Sequence, residues 1–191
     1  NIVANGVTAD EDLEMYTGEG TLTVNGAVSV ASTHALTLGS KNAITGASVI
    51  TADALKLEAA DAAVNLTGAN AVNKLDGKAK GLTFKNGGNL TIGSETGMTT
   101  GEDGANVDVT GDLTVGAHGM TNAAGAMNLK ASGTLKLDAN AEVKSTGAAA
   151  TSLEAATVNF DTSSKVSTAG GTINVKTDAL TLPAGAQGTL S

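Results

Sequence analysis

The sequence predicts an all-β fold, a parallel β-helix (β-solenoid) with three short strands per coil and about 19–23 residues per coil. The first observation behind this is a phrase that returns at a nearly constant interval: Asn89-Leu-Thr-Ile-Gly-Ser, Asp112-Leu-Thr-Val-Gly-Ala, Thr134-Leu-Lys-Leu-Asp-Ala, Thr157-Val-Asn-Phe-Asp-Thr and Ala179-Leu-Thr-Leu-Pro-Ala. Each phrase alternates apolar, polar and apolar residues before a turn former, the pattern of a strand that reaches a corner. The second observation is that two further apolar ladders share this period. The third is composition: 25 Gly, one Pro and 2 % aromatics leave too little side-chain bulk for an ordinary globular core. They suit a narrow coil whose residues all lie near its axis.

Within each coil the first strand carries Leu90/Ile92, Leu113/Val115, Leu135/Leu137, Val158/Phe160 and Leu180/Leu182. The second carries Met98, Met120, Val143 and Val166. The third carries Val107/Val109, Met127/Leu129, Leu153 and Ile173/Val175. Upstream, Ile2 and Val7 end one coil and Leu13/Met15 open the next, followed by Leu22/Val24 and Val28/Val30 as second and third strands. Leu36/Leu38 then open a coil continued by Ile44 and Val49. Leu55/Leu57 open another after a shorter interval, continued by Val64/Leu66 and Val72. Residues 1–191 read as a single solenoid domain whose register is irregular around 74–88. Leu75 and Leu82/Phe84 fit together only with one short coil or an inserted loop, and Lys74-Leu-Asp-Gly-Lys-Ala-Lys-Gly reads as a solvated loop or tight corner.

Parallel stacking at about 4.8 Å makes roughly eight or nine coils a rod on the order of 40 Å long. A slip of one residue would turn the apolar ladders to solvent, so register is strongly specified. Gly93, Gly116, Asp138, Asp161 and Pro183 close each first strand as turn formers. The small residues after them, Ser94, Ala117, Ala139, Thr162 and Ala184, are expected to fill an interior corner. Neither end shows an amphipathic capping helix, and the uncapped strand edges this implies invite pairing with another chain.

Charge and motifs exclude several function classes. The net charge is −8 and all eleven basic residues are Lys, which disfavours nucleic acid as a partner. Cys is absent, so disulfides and thiolate metal sites are impossible. No apolar run is long enough for a membrane-spanning helix. The chain opens on Asn1 with no signal peptide, as a processed product or an excerpt does.

Candidate chemistry is sparse. The acidic turn Asp10-Glu-Asp-Leu-Glu14 offers oxygen ligands of the kind Ca²⁺ takes, and its expected reading is a solvated turn. Glu102 and Asp103 are expected in a loop. Asp138 and Asp161 occupy equivalent corners one coil apart, the arrangement of a carboxylate pair, but no aromatic-lined groove is expected beside them. His34 and His118 stand far apart in the chain without triad partners. Thr91, Thr114, Lys136, Asn159 and Thr181 form one outward column, too interrupted for an ice-binding array. Asn65 and Asn89 match glycosylation sequons inside expected strands. No catalytic, cofactor-binding or metal residue is assigned, and no enzymatic activity is expected.

The phrases Leu-Thr-Val-Gly-Ala and Leu-Lys-Leu-Asp-Ala, with their Gly/Asn/Ala-rich corners, resemble the repeat regions of filamentous-haemagglutinin-like adhesins and autotransporter passengers. The resemblance covers nearly the whole chain, least well residues 74–88. It implies a right-handed helix, export across a bacterial outer membrane, and a place at the cell surface or outside the cell. The Asn-Pro phrases of that family's secretion domain are absent from this sequence. The expected role is structural, a fibre, surface layer or biofilm-matrix scaffold built by self-association through the terminal coils. The alternative is the stalk of a secreted adhesin that recognises a glycan or protein, with matrix polysaccharide among its partners. A cytosolic polymer resembling bactofilins fits less well, because their coils are shorter.

Overall fold

Alternation of inward apolar and outward polar residues, punctuated by glycine-rich corners, produces strands and no helix among the described residues. The computed structural model of the chain describes residues 1–183. It is a β-solenoid of about 8 turns with stacked coils of about 22 residues. The strands are β1 (Ile2–Ala4), β2 (Val7–Ala9), β3 (Leu13–Thr17), β4 (Leu22–Val24), β5 (Val28–Val30), β6 (Ala35–Ser40), β7 (Ala43–Gly46), β8 (Ile50–Asn86) and β9 (Leu90–Ile92). There follow β10 (Met98–Val109), β11 (Leu113–Val115), β12 (Met120–Asn122), β13 (Met127–Ala131), β14 (Thr134–Leu137), β15 (Glu142–Ser145), β16 (Thr151–Phe160), β17 (Lys165–Thr168) and β18 (Ile173–Thr181). Every pairing between them is parallel and joins one coil to the next.

The first ladder runs Leu90–Leu113–Leu135–Val158–Leu180, and the second Met98–Met120–Val143–Val166. Both follow the expected spacing. The third is offset from expectation. Val107 lies opposite Leu129, then Leu153 and Val175, while Met127 lies opposite Ala105. Toward the preceding coil, β10 carries a register irregularity between Thr100, which faces Ala79, and Gly104, which faces Gly81. Leu182 lies beyond the end of β18 and is half exposed, and the corner residue Ala184 and the tail from 186 lie outside the described residues.

In the first half, Leu13–Leu36–Leu55 and Leu22–Ile44–Val64 stack as expected. Ile50, not Val49, pairs with Val28 and is buried, whereas Val49 is exposed. The expected loop at 74–81 is instead extended chain within β8, and Leu75 is fully buried. The short-coil solution holds, because Leu75 pairs with Ile92, a shorter step along the chain than the one from Ile92 to its next partner Val115. Asp53 accepts from Asn73 Nδ2 and Lys74 Nζ, and Gly77 sits against the Leu57 backbone, so 73–77 lies directly on 53–57. From that segment Leu75 feeds the first ladder and Gly77 the second, opposite Met98. The Leu22 ladder therefore belongs with the third face, not the second. Leu82, which pairs with Ala105, borders the same groove as Val64.

The corners also differ from expectation. Ala117, Ala139 and Thr162 are exposed rather than interior. They occupy β-turns closed by Gly119 N–H to Gly116 O, Ala141 N–H to Asp138 O and Ser164 N–H to Asp161 O. Such turns put their central residues in solvent and select small side chains for conformation rather than volume. Asn140 and Ser163 there adopt the left-handed region, at φ of 65° and 61°.

The Asp53 tie at the register change is pH-sensitive. The Asn73 amide and then the Lys74 ammonium hold the Asp53 carboxyl below its usual range. A depressed carboxylate adds stability that is full above its unfolded value, about 3.9, and is lost as pH falls through the folded value. Protection of 73–77 against hydrogen exchange, relative to the intrinsic rate at each pH, is expected to be flat from pH 7 to about 5 and to fall below about 4. Asp53→Asn is expected to flatten that acid response; an unchanged acid response in the variant would assign it to another carboxylate.

Candidate functional surface

Two side-chain devices, built from residues the repeat phrase already contains, hold the corners. In the first, an Asn or Asp just before a strand accepts an N–H of the next coil. Asn1 Oδ1 takes Thr21 N–H at 2.9 Å, Asp12 Oδ1 takes Ala35 at 2.8 Å, Asn89 Oδ1 takes Asp112 at 2.9 Å and Asp112 Oδ1 takes Thr134 at 2.7 Å. In the second, a polar residue points inward where a strand ends and donates to a carbonyl a little further along the chain. Thr17 donates to Gly20 O, Asn122 to Gly125 O, Ser145 to Gly147 O and Thr168 to Gly171 O. Thr100, Asn122, Ser145 and Thr168 form one column. Burial of these side chains requires such partners, since an unpaired buried polar group costs about 1–3 kcal/mol. The signal for both was present as Asx before the first apolar residue of a strand and as a polar residue shortly before Gly.

These devices account for several candidates. Asp12 of the acidic turn is committed to Ala35 N–H, with His34 Nδ1 3.1 Å from the same oxygen. The Ala35 N–H and then His34 hold its carboxyl below the usual range. Among the described residues no three carboxylate or imidazole groups converge as a cation site would require. His118 occupies the exposed turn 116–119, far along the stack from His34. Asp138 and Asp161 are bridged by Lys136, whose Nζ lies 2.8 Å and 3.7 Å from them. Glu102 and Asp103 lie within β10 rather than in a loop, and Asp103 faces Lys80 at 3.7 Å. Asn65 is exposed in β8, whereas Asn89 precedes β9 and is tied to Asp112. The column Thr91–Thr114–Lys136–Asn159–Thr181 is in register.

One outward column escaped the sequence reading because its members look unrelated along the chain. Lys85, Asp108, Lys130, Glu154 and Lys176 stack in successive coils with alternating sign. Glu154 lies 3.6 Å from Lys130 and 3.1 Å from Lys176. Exposed pairs of this kind add little stability each. They do penalise a shift that sets like charges opposite one another.

The first coil presents an open strand edge among the described residues. Among the described residues β1, β2 and β3 are each paired on one side only, with β4, β5 and β6. Val7 N–H bonds to Ala27 O and Ala9 O accepts from Ala31, so the backbone of Thr8 points to the open edge. Ile2 N–H and Ala4 O bond toward β4 in the same way, which turns Val3 outward along the stack. Ile2, Val7, Leu13 and Met15 are only half-buried against the core. No family model, no curated protein and no solved structure matches the chain.

Proposed function

We propose that the protein is a structural β-solenoid of the bacterial cell surface or extracellular matrix that builds a fibre or layer by coaxial stacking of coils. The observation that supports this is that, among the described residues, β1, β2 and β3 have no partner on their outer side, with half-buried Ile2, Val7, Leu13 and Met15 and outward-directed backbone at Val3 and Thr8. Such an edge is a template for another strand. A strand of the coil type seen here suits it, because the third face begins with Ile2 and Ala4 and ends in Ile173 and Val175. A second copy in register would continue the apolar column across the junction. Resemblance of the repeat phrases to adhesin and autotransporter passengers supports the extracellular setting.

Electron microscopy with light scattering tests it. Filaments of coaxial subunits are expected. Val3→Pro with Thr8→Pro removes two N–H donors from the open edge and spares the bonds to β4 and β5. That variant is expected to stay folded and run as dispersed rods. Dispersed rods from the unaltered chain would instead favour the alternative, a stalk of a secreted adhesin.

A further inference from the structure

A groove of about 750 Å³ lies along the flank of the rod, from Tyr16 and Thr17 on the edge strand β3 to Thr96. Small-molecule sites typically fall within roughly 300–1,000 Å³. The groove coincides with a change in coil length, since the step from Leu36 to its partner Leu55 is shorter than the step from Leu13 to Leu36. Tyr16, the single tyrosine of the chain, lines the groove. Tyr16 pairs with Gly39 in the next coil, and Gly39 pairs with Glu58 in the one after. A Cβ at Gly39 would meet Tyr16 Cδ1 at 2.3 Å, so the ring lies across the glycine, on the outside of the sheet. Glycine is required there for that close approach. The residue nevertheless stays 46 % exposed.

Polar groups of both signs surround the ring. Lys56 Nζ is 3.0 Å from Glu58 Oε1, and Lys41 Nζ is 3.0 Å from Glu19 Oε1. Asp61 and Lys78 also line the groove, and neither forms an ion pair among the described residues. An aromatic face that lies open beside carboxylates and ammonium groups matches a ligand with one apolar face and a rim of hydroxyls. That is the chemistry of a pyranose ring, whose C–H face stacks on an aromatic while its hydroxyls donate to carboxylates and accept from lysine.

We propose that this groove is a saccharide-binding site, with a pyranose stacked on Tyr16 and its hydroxyls held by Glu58, Asp61 and Lys78. Tyr16 lies on β3, the edge strand with which a stacked copy would pair, whereas Glu58, Asp61 and Lys78 lie in later coils, so the two proposals meet at Tyr16 and are separated by experiment.

Titration of the Val3→Pro/Thr8→Pro chain as well as the unaltered chain separates the two. The probes are cellohexaose, xylohexaose, chitohexaose and oligogalacturonate, read by calorimetry and by tyrosine fluorescence, which here reports Tyr16 alone. At least one probe is expected to bind and to change that fluorescence. Tyr16→Ala is expected to weaken binding at least tenfold and Tyr16→Phe less than threefold. With oligogalacturonate as the ligand, Lys78→Gln is expected to weaken binding further than it does for a neutral probe. Failure of all four probes, or binding that leaves Tyr16 fluorescence unchanged, overturns the proposal. Unweakened binding by a folded Tyr16→Ala chain does the same, because it would leave the ring only its role of covering Gly39.

Discussion

Leu137→Asp is expected to unfold the middle of the rod. Leu137 is fully buried and stacks between Val115 and Phe160. A carboxylate there loses its water and gains no partner, since its neighbours in the column are hydrocarbon. Burial of an unpaired charge, added to the lost leucine contact, belongs to the largest class of single-residue effects, about 4 kcal/mol or more. Each coil is supported only by the coils on either side, so the damage divides the stack rather than staying local. Urea unfolding should show a large fall in midpoint or a second transition. Thr114→Asp is the control: the residue points outward one coil below, between Thr91 and Lys136. Its expected change is within about 0.5 kcal/mol. Equal effects from the two would contradict the inward–outward parity of the first face.

Asn86→Leu is expected to be the costliest polar substitution. Asn86 is completely buried, accepts Val72 N–H at 3.1 Å, and shares its two Nδ2 hydrogens among Val72 O, Gly88 O and Asn89 O at 3.0–3.1 Å. It sits where the coil contracts, between Leu75 and Ile92. Its side chain supplies the bonds that a backbone ladder supplies elsewhere. Leucine matches the branching but is bulkier, and it strands the Val72 N–H and C=O away from water. With about 1–3 kcal/mol for each buried group left unpaired, a loss of about 3 kcal/mol is expected. Hydrogen exchange should localise it to 70–92, with the coils beyond 113 protected as before. A loss spread evenly along the rod would mean that the junction is not where the stack is weakest.

The legible part of the fold followed from local rules. Alternation in Leu113-Thr-Val115 or Leu135-Lys-Leu137 sets which side chains face inward, because successive residues of a strand point to opposite faces. Recurrence of that alternation at a nearly constant interval then made a coil, and the columns from Leu90 to Leu180 and from Met98 to Val166 follow from it without further information. Turn formers at Gly116, Asp138 and Asp161 marked the corners for the same local reason.

How coils of unequal length stack was not legible in this way. The step from Val28 to Ile50 is longer than the step from Leu75 to Ile92, and no short-range rule says which residue of the longer coil is left over. Burial of Leu75 and the Asp53, Asn70 and Asn86 bonds across coils settle it, turning the expected loop at 74–81 into strand. The alternating column Lys85–Asp108–Lys130–Glu154–Lys176 and the groove over Tyr16 depend on the same stacking. Their members lie about a full coil apart in the chain, so their proximity exists only once the register between coils has been chosen. Strand parity and turn preference act over a few residues, and for that reason the coil and its inward faces could be read along the chain. What lies above what, and hence every surface that could act on another molecule, came from packing between coils.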